Sequence, residues 1–212
     1  MITPVVRCSF VYIASPRVIT RKDKKTGAMK DVESYEVTAL VSKHDSVAYA
    51  ALMQEVNAAI QAGTPKILPE GAAKLSQFRN PLRDGDAYAE EGVVLGKDRS
   101  SFRGNWFFTA KTLGRCPGIV DRFGRFMEPD GIYPGCYVRL DIRFAAYNNE
   151  SIGVTAYLNN VMFVRDGERL GGGAAPAPTA FAQYIENAPD AVTMPQHEAA
   201  YGSEDGSSDL PF

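Results

Sequence analysis

Five segments of strand composition, one helix between the second and third of them, and turns rich in glycine and proline predict an all-β body for residues 1–170. The expected architecture is an OB-fold-like, five-stranded Greek-key barrel, β with one helix and a loop-rich insertion. With 45% hydrophobic and 10% aromatic residues, the chain has ample material for a packed core.

Residues 5–13 are β-branched and aromatic and form the first expected strand. The basic run Arg21-Lys-Asp-Lys-Lys25 follows as a hairpin tip, which reads equally well as a solvated turn. In residues 34–43, Tyr35, Val37, Ala39 and Val41 fall on one side of a second strand. A helix comes next: Asp45 or Ser46 can cap it, Tyr49, Leu52, Met53, Val56 and Ile60 recur at helical spacing, and Gly63 with Pro65 ends it. Residues 64–101 resist regular assignment because Pro65, Pro69, Pro81 and several glycines break any long element. A partly ordered insertion with short helical turns is expected there, and an irregular run of that length points to function. Residues 105–112, 136–147 and 152–164 complete the strand set, the last two joined by the turn composition Asn148-Asn-Glu-Ser151. Beyond Leu170, Gly171-Gly-Gly-Ala-Ala-Pro-Ala-Pro-Thr179 is a linker composition, so residues 171–212 are expected to form a flexible acidic tail.

The overall charge of -2 conceals a division. All 23 Lys and Arg precede Gly171, whereas six of the 25 acids follow it (Glu186, Asp190, Glu198, Glu204, Asp205 and Asp209), so the body carries +4 and the tail -6. A cationic body with an anionic tail permits a polyanionic ligand. Cys8, Cys116 and Cys136 are odd in number and lack Cys-x-x-Cys spacing, and the histidines are His44 and His197, which excludes a disulfide framework and a zinc site. Reduced thiols fit the cytoplasm. The first residues do not combine a basic segment with an apolar run, and no stretch approaches the ~18 apolar residues of a membrane span, so a soluble cytoplasmic protein with no membrane partner is expected.

The fourth strand separates binding from packing. Val138, Leu140, Ile142, Phe144 and Ala146 share one uniformly apolar face, which must be core. The other displays Tyr137, Arg139, Asp141, Arg143, Ala145 and Tyr147, where rings can stack on bases and guanidiniums can meet phosphates or stack as cations. An ordinary barrel exterior also carries Tyr and Arg. In the third strand Trp106, Phe108 and Ala110 read as core, and Phe107 and Lys111 as half-exposed contacts. Bases cluster near glycine-rich turns: Arg99, Arg103 and Arg115, then Arg122 and Arg125 flanking Phe123 and Phe126. The expected nucleic-acid contacts are Phe107, Lys111, Tyr137, Arg139, Arg143, Tyr147, Arg103, Arg115 and Arg122.

Catalytic chemistry is not apparent, and neither a metal nor a cofactor is expected. Gly92-Val-Val-Leu-Gly96-Lys97 is one residue short of a phosphate loop and continues into Asp98 rather than Ser or Thr. Asp84, Asp86, Glu90 and Glu91 could hold a divalent cation with other ligands but read better as solvated acids. Cys116 has no neighbouring His to activate it.

The tail tip Asp209-Leu210-Pro211-Phe212 resembles the endings of bacterial and phage single-stranded DNA-binding proteins, whose acidic tails finish in a short Asp-aliphatic-Pro-aromatic tip. The runs Tyr133-Pro-Gly-Cys-Tyr-Val-Arg139, Gly153-Val-Thr-Ala-Tyr-Leu-Asn-Asn-Val161 and Val164-Arg-Asp-Gly-Glu-Arg-Leu-Gly-Gly172 resemble a family of phage-encoded single-stranded DNA-binding proteins with an OB-fold. The resemblance runs through most of residues 1–170 and is densest from Trp106 to Gly173; the tail departs from it, with Ser207 and Ser208 where related tails hold more acids. It implies a non-enzymatic protein that coats and protects displaced strands in phage replication or recombination. The tail tip would recruit replication or recombination partners, and the tail would compete with DNA for the basic groove. Two rival readings stay open: a protein-interaction scaffold module, and a metal-dependent nuclease or recombination enzyme using the acids of the insertion. Either a monomer or a homo-oligomer suits the sequence.

Overall fold

A computed structural model describes residues 1–23, 26–149 and 151–171. Residues Met1–Gly173 form one compact unit. The sequence expectations for Lys24, Lys25, Glu150 and residues 172–212, including the tip Asp209–Phe212, lie outside the described residues.

Among the described residues there are seven strands: β1 (Val6–Lys22), β2 (Met29–Ser42), β3 (Arg83–Asp84), β4 (Asn105–Leu113), β5 (Gly118–Val120), β6 (Tyr137–Asn148) and β7 (Ile152–Arg165). Their order is β3-β4-β2-β1-β6-β7-β5, and a further parallel pairing of β4 with β7 closes the ring. The five long strands thus form the expected barrel, in the cyclic order β1-β2-β4-β7-β6. The two short strands, absent from the expected set of five, are added outside that ring on β4 and β7.

The barrel interior is filled from alternate positions. Val6, Cys8, Val37, Ala39, Phe108, Ala110, Val138, Leu140, Ile142, Phe144, Ala156 and Leu158 are buried in one cluster. Helix α1 (Ser46–Gly63) adds Leu52 and Val56 to it. The Asp45 carboxylate accepts from the Ala48 amide at 2.9 Å and so satisfies one of the free N–H groups of the first turn. Gly63 is the last helical residue rather than the stop, and a Cβ there would lie 2.5 Å from the Ala146 Cβ on β6. That contact sets how closely α1 approaches the barrel.

Two elements depart from expectation. The first hairpin is much longer: β1 runs on to Lys22 and β2 begins at Met29, with Arg17–Lys22 paired to Met29–Ser34 as a projecting ribbon. Most of its side chains are exposed on both faces, so no burial-linked alternation marks it. The insertion contains a second helix, α2 (Gly85–Val94), which corrects the expectation of one helix with only short turns in the insertion. Asp84 caps it, accepting from the amides of Asp86 (2.8 Å) and Ala87 (3.4 Å). Residues Leu40, Phe102 and Phe107, with Tyr88 and Leu170 packed on them, form a small satellite core on the outer wall of β2 and β4.

Candidate nucleic-acid interface

A β-bulge decides what the outer wall presents. Along β1, Cys8 pairs with Ala39 but Val11 pairs with Val37, so β1 contains one extra residue. The side-chain period of two is thereby broken, and burial passes from Val6 and Cys8 to Ile13. Phe10 and Tyr12, which share parity with Val6 and Cys8, face outward, and Phe10 is 43% exposed.

Strand register then lines up a belt of side chains across all five barrel strands. Tyr12 on β1 pairs with Glu36 on β2, Glu36 with Lys111 on β4, Lys111 with Tyr157 on β7, and Tyr157 with Arg143 on β6. Residues directly opposite one another share a sheet face, so these five form one outward row. The Arg143 guanidinium lies 5.0 Å from the Tyr157 ring centroid, and that ring is 41% exposed. Arg17 lies 5.0 Å over the Tyr12 ring and 3.9 Å from the Glu36 carboxylate, which also accepts from the Ser34 hydroxyl at 2.7 Å. The single acid of the belt is therefore compensated locally. Among the described residues neither Lys111 nor Arg143 has an ion-pair partner.

Two concavities flank the belt. One of about 600 Å³ is lined by Ile19, Arg21, Lys111, Tyr147 and Tyr157 among others. The other, of about 540 Å³, includes Phe10, Tyr12, Arg17, Tyr88, Arg99 and Thr109. Thr109 and Lys111 are alternate residues on one face of β4, so the two hollows are neighbours along that strand. The second hollow carries on its wall a hydroxyl–hydroxyl hydrogen bond of 2.9 Å between Thr38 and Thr109. The arrangement is a shallow cationic furrow with rings on both banks, able to stack bases and neutralise phosphates.

The residues singled out from sequence are dispersed relative to this furrow. Lys111 and Tyr147 line it, and Arg143 adjoins it in the belt through its pairing with Tyr157. Tyr137 is half-buried at the far end of β6, with Arg165 3.5 Å and Arg7 5.9 Å from its ring centroid. Arg139 donates to the Thr3 carbonyl at 3.0 Å and lines a separate apolar groove. Arg103 is exposed beside the start of β4, Arg115 lines a small hollow with Asn159 and Asn160, and Arg122 lies 4.8 Å over the Phe123 ring. Phe107 is a correction: it is only 4% exposed. Its parity does point outward, but Tyr88 and Phe102 pack against its ring, each with centroids 4.9 Å away. Sequence reasoning missed Phe10, Tyr12, Arg17 and Tyr157. The alternation of Thr155, Tyr157 and Asn159 could have found the last of these, whereas the bulge concealed the first two.

The acids of the insertion are engaged in structure. Lys43 donates to Asp84 at 2.7 Å and to Asp86 at 2.6 Å, and Asp86 also accepts from the Gly104 amide at 2.7 Å. These bonds hold both carboxyls below their ordinary range and the Lys43 ammonium above its own. Glu91 is paired with Arg99 at 2.7 Å. Among the described residues no group of three His, Cys, Asp or Glu is placed to hold a metal ion. Burial, with Glu33 nearby, pushes the Cys116 thiol up, away from the nucleophilic thiolate. No helix among the described residues is long and apolar enough to cross a membrane.

Comparison with known proteins bears on the fold and on the family. The fold is similar to that of the single-stranded DNA-binding protein from bacteriophage Enc34, with a TM-score of 0.57 and 22% identity, covering 85% of this chain and 88% of that one. The same phage protein in complex with ssDNA matches at TM-score 0.57 and 22% identity, over 80% of this chain and 88% of that one. Gp2.5, a single-stranded DNA-binding protein encoded by bacteriophage T7, matches at TM-score 0.56 and 16% identity, over 91% of this chain and 98% of that one. At these identities the likeness is one of fold. Among curated sequences, "Putative protein p50" of Acyrthosiphon pisum secondary endosymbiont phage 1 is 34% identical over 102 residues, or 47% of this chain, and the chain spans about half (50%) of that relative's length. The family described as "Enterobacter phage Enc34, ssDNA-binding protein" matches residues 1–192, and the chain belongs to that family.

Proposed function

We infer that this protein is a non-catalytic single-stranded DNA-binding protein and that the strand lies in the furrow across β1, β2, β4, β7 and β6. The belt Tyr12–Glu36–Lys111–Tyr157–Arg143 is the observation that carries this reading: two rings and two uncompensated cations share one outward row with a single, locally paired acid. Stacking on rings is sequence-tolerant, which suits a protein that coats whatever strand is displaced during phage replication or recombination in the host cytoplasm. Family membership and the solved complex of the Enc34 protein with ssDNA support the ligand class. Lys111, Arg143 and Tyr147 are retained as contacts; Tyr137, Arg139, Arg103, Arg115 and Arg122 lie away from the belt. The tail, through Asp209, Leu210, Pro211 and Phe212, serves replication or recombination partners, and its six acids compete with DNA.

Titration of fluorescent oligo-dT with the full chain and with Lys111→Ala and Arg143→Ala variants tests the reading. Binding should weaken in both variants and fall as salt rises, through release of condensed counterions. Undiminished, salt-insensitive binding by both variants would refute it in favour of the scaffold module.

A further inference from the structure

A second ring-bearing feature stands on the same barrel wall, in the turn between β5 and β6; its interpretation rests on the DNA-binding reading above. Asp121 braces that turn. Its carboxylate accepts from the amides of Phe123 (2.8 Å) and Arg125 (3.0 Å) and from the Arg125 guanidinium (2.7 Å). Two rings are thereby held out to solvent: Phe123 is 68% and Phe126 90% exposed. Arg122 and Arg125 lie 4.8 and 5.2 Å from the Phe123 ring centroid. Exposed rings on a turn add little to the stability of the fold, and when clustered they mark a contact surface. A braced turn loses less entropy on binding than a loose one.

The wall connecting this turn to the belt is continuous. Arg139 and Arg143 are on the same outward face of β6, with Asp141 between them. On β7, Tyr157 of the belt and Met162 beside Arg139 are five residues apart, but a bulge takes up one of them, so the path matches the four residues from Arg143 to Arg139 on β6, or ~13 Å at the rise of an extended strand. Asp141 is the acid on this path, and the amides of Asn159 (3.3 Å) and Asn160 (2.9 Å) donate to its two oxygens. Val120 pairs with Met162, and Phe126 bridges to Val120, which brings the exposed ring to the end of the path.

We propose that the turn of residues 121–127 is a second contact for the same single-stranded DNA. A strand leaving the belt runs along the outer face of β6 and β7, past Arg139, and stacks bases on Phe126 and Phe123, with Arg122 and Arg125 beside its phosphates. The chemistry reads base faces and backbone charge, so this contact adds length and affinity without sequence preference.

The test uses the full-length protein and labelled oligo-dT of about 6 and about 16 nucleotides, near the two ends of the range that OB folds occupy. The paired variant Phe123→Ala/Phe126→Ala should bind the short oligonucleotide as the parent does and the long one at least roughly thirtyfold more weakly, for the loss of two stacks. Its thermal unfolding should match the parent, because both rings are exposed. Equal binding of both oligonucleotides by variant and parent overturns the proposal. So does unchanged DNA binding accompanied by loss of self-association in sedimentation, which would make the turn an interface between copies. The belt is judged separately: if Arg143→Ala and Tyr157→Ala leave short-oligonucleotide binding intact while the Phe pair abolishes long binding, the belt reading falls and the turn stands.

Discussion

Replacing Tyr157 by Ala removes the ring that stands, in strand register, between the two uncompensated cations of the belt. The ring is 41% exposed, pairs with Lys111 on one side and has Arg143 5.0 Å from its centroid on the other. Its neighbours Ala156 and Leu158, on the inner face, carry the packing, so the fold should change by no more than about 0.5 kcal/mol. Loss of one stacked base is worth about 1–3 kcal/mol, or roughly a 5- to 150-fold rise in Kd. Fluorescence anisotropy with labelled oligo-dT at several salt concentrations measures this, with Tyr157→Phe as the control that keeps the ring. The salt dependence provides a second criterion. Tyr157→Ala removes no charge and should leave the slope of log K against log salt unchanged, whereas Arg143→Ala should reduce it by about 0.7. Parental affinity in Tyr157→Ala, or a slope reduced as much as by the charge variant, would show that the ring does not stack on a base.

Phe107→Ala should cost about 3–5 kcal/mol of stability in denaturant unfolding, because the ring is buried in the satellite core; weaker DNA binding at unchanged stability would contradict that burial. Deleting residues 171–212 removes six acids and no Lys or Arg, so binding should tighten most at low salt and the difference should vanish at high salt, as the Debye length shrinks from ~30 Å at 0.01 M to ~3 Å at 1 M. The clamp of Lys43 on Asp84 and Asp86 has a defined pH window. Each carboxyl is held below its ordinary 3.8, so its contribution is present above that value and is lost as pH falls through the lowered one. Lys43 is held above 10.5, so its contribution persists below that value and is lost as pH rises through the raised one. The single tryptophan, Trp106, has Lys43 4.7 Å over its ring, so its fluorescence should report both edges of the window, and Lys43→Met should abolish both transitions.

How much of this was readable beforehand depended on whether burial was one-sided. On β6 the inner face is uniformly apolar and the outer face polar, so Val138, Leu140, Ile142 and Phe144 could be assigned to the core from alternation alone. Helix α1 announced itself through Asp45 and its apolar spacing. The ribbon beyond Arg17 has no buried face, so its pairing left no trace in the pattern. On β1 the pattern was misleading, because an extra residue turns Phe10 and Tyr12 outward where strict alternation would turn them in. For α2, Gly85 and Gly92 lower the intrinsic helical tendency, yet both are buried where a Cβ would collide with neighbouring chain, so close packing required them. Phe107 failed for a related reason: its parity is outward, but the insertion covers it, and which segment covers which face is a long-range fact. The belt was half legible, in Lys111, Arg143 and Tyr147. Its lateral order came from registers between strands distant in sequence, which local spacing does not encode.

The parallel join between β4 and β7 consists, among the described residues, of the two pairs Ala110 with Ala156 and Lys111 with Tyr157. It is one of two narrow sutures in the ring, the other being Val6 with Val138 and Arg7 with Tyr137 between β1 and β6, and one of its two stitches lies at the centre of the belt. A polymer laid across Lys111 and Tyr157 therefore acts as a rivet over one of the two slits where the ring has fewest ladder pairs. Occupancy and closure become one linked equilibrium: whatever holds the slit shut raises affinity, and each molecule bound returns that favour by resisting its opening.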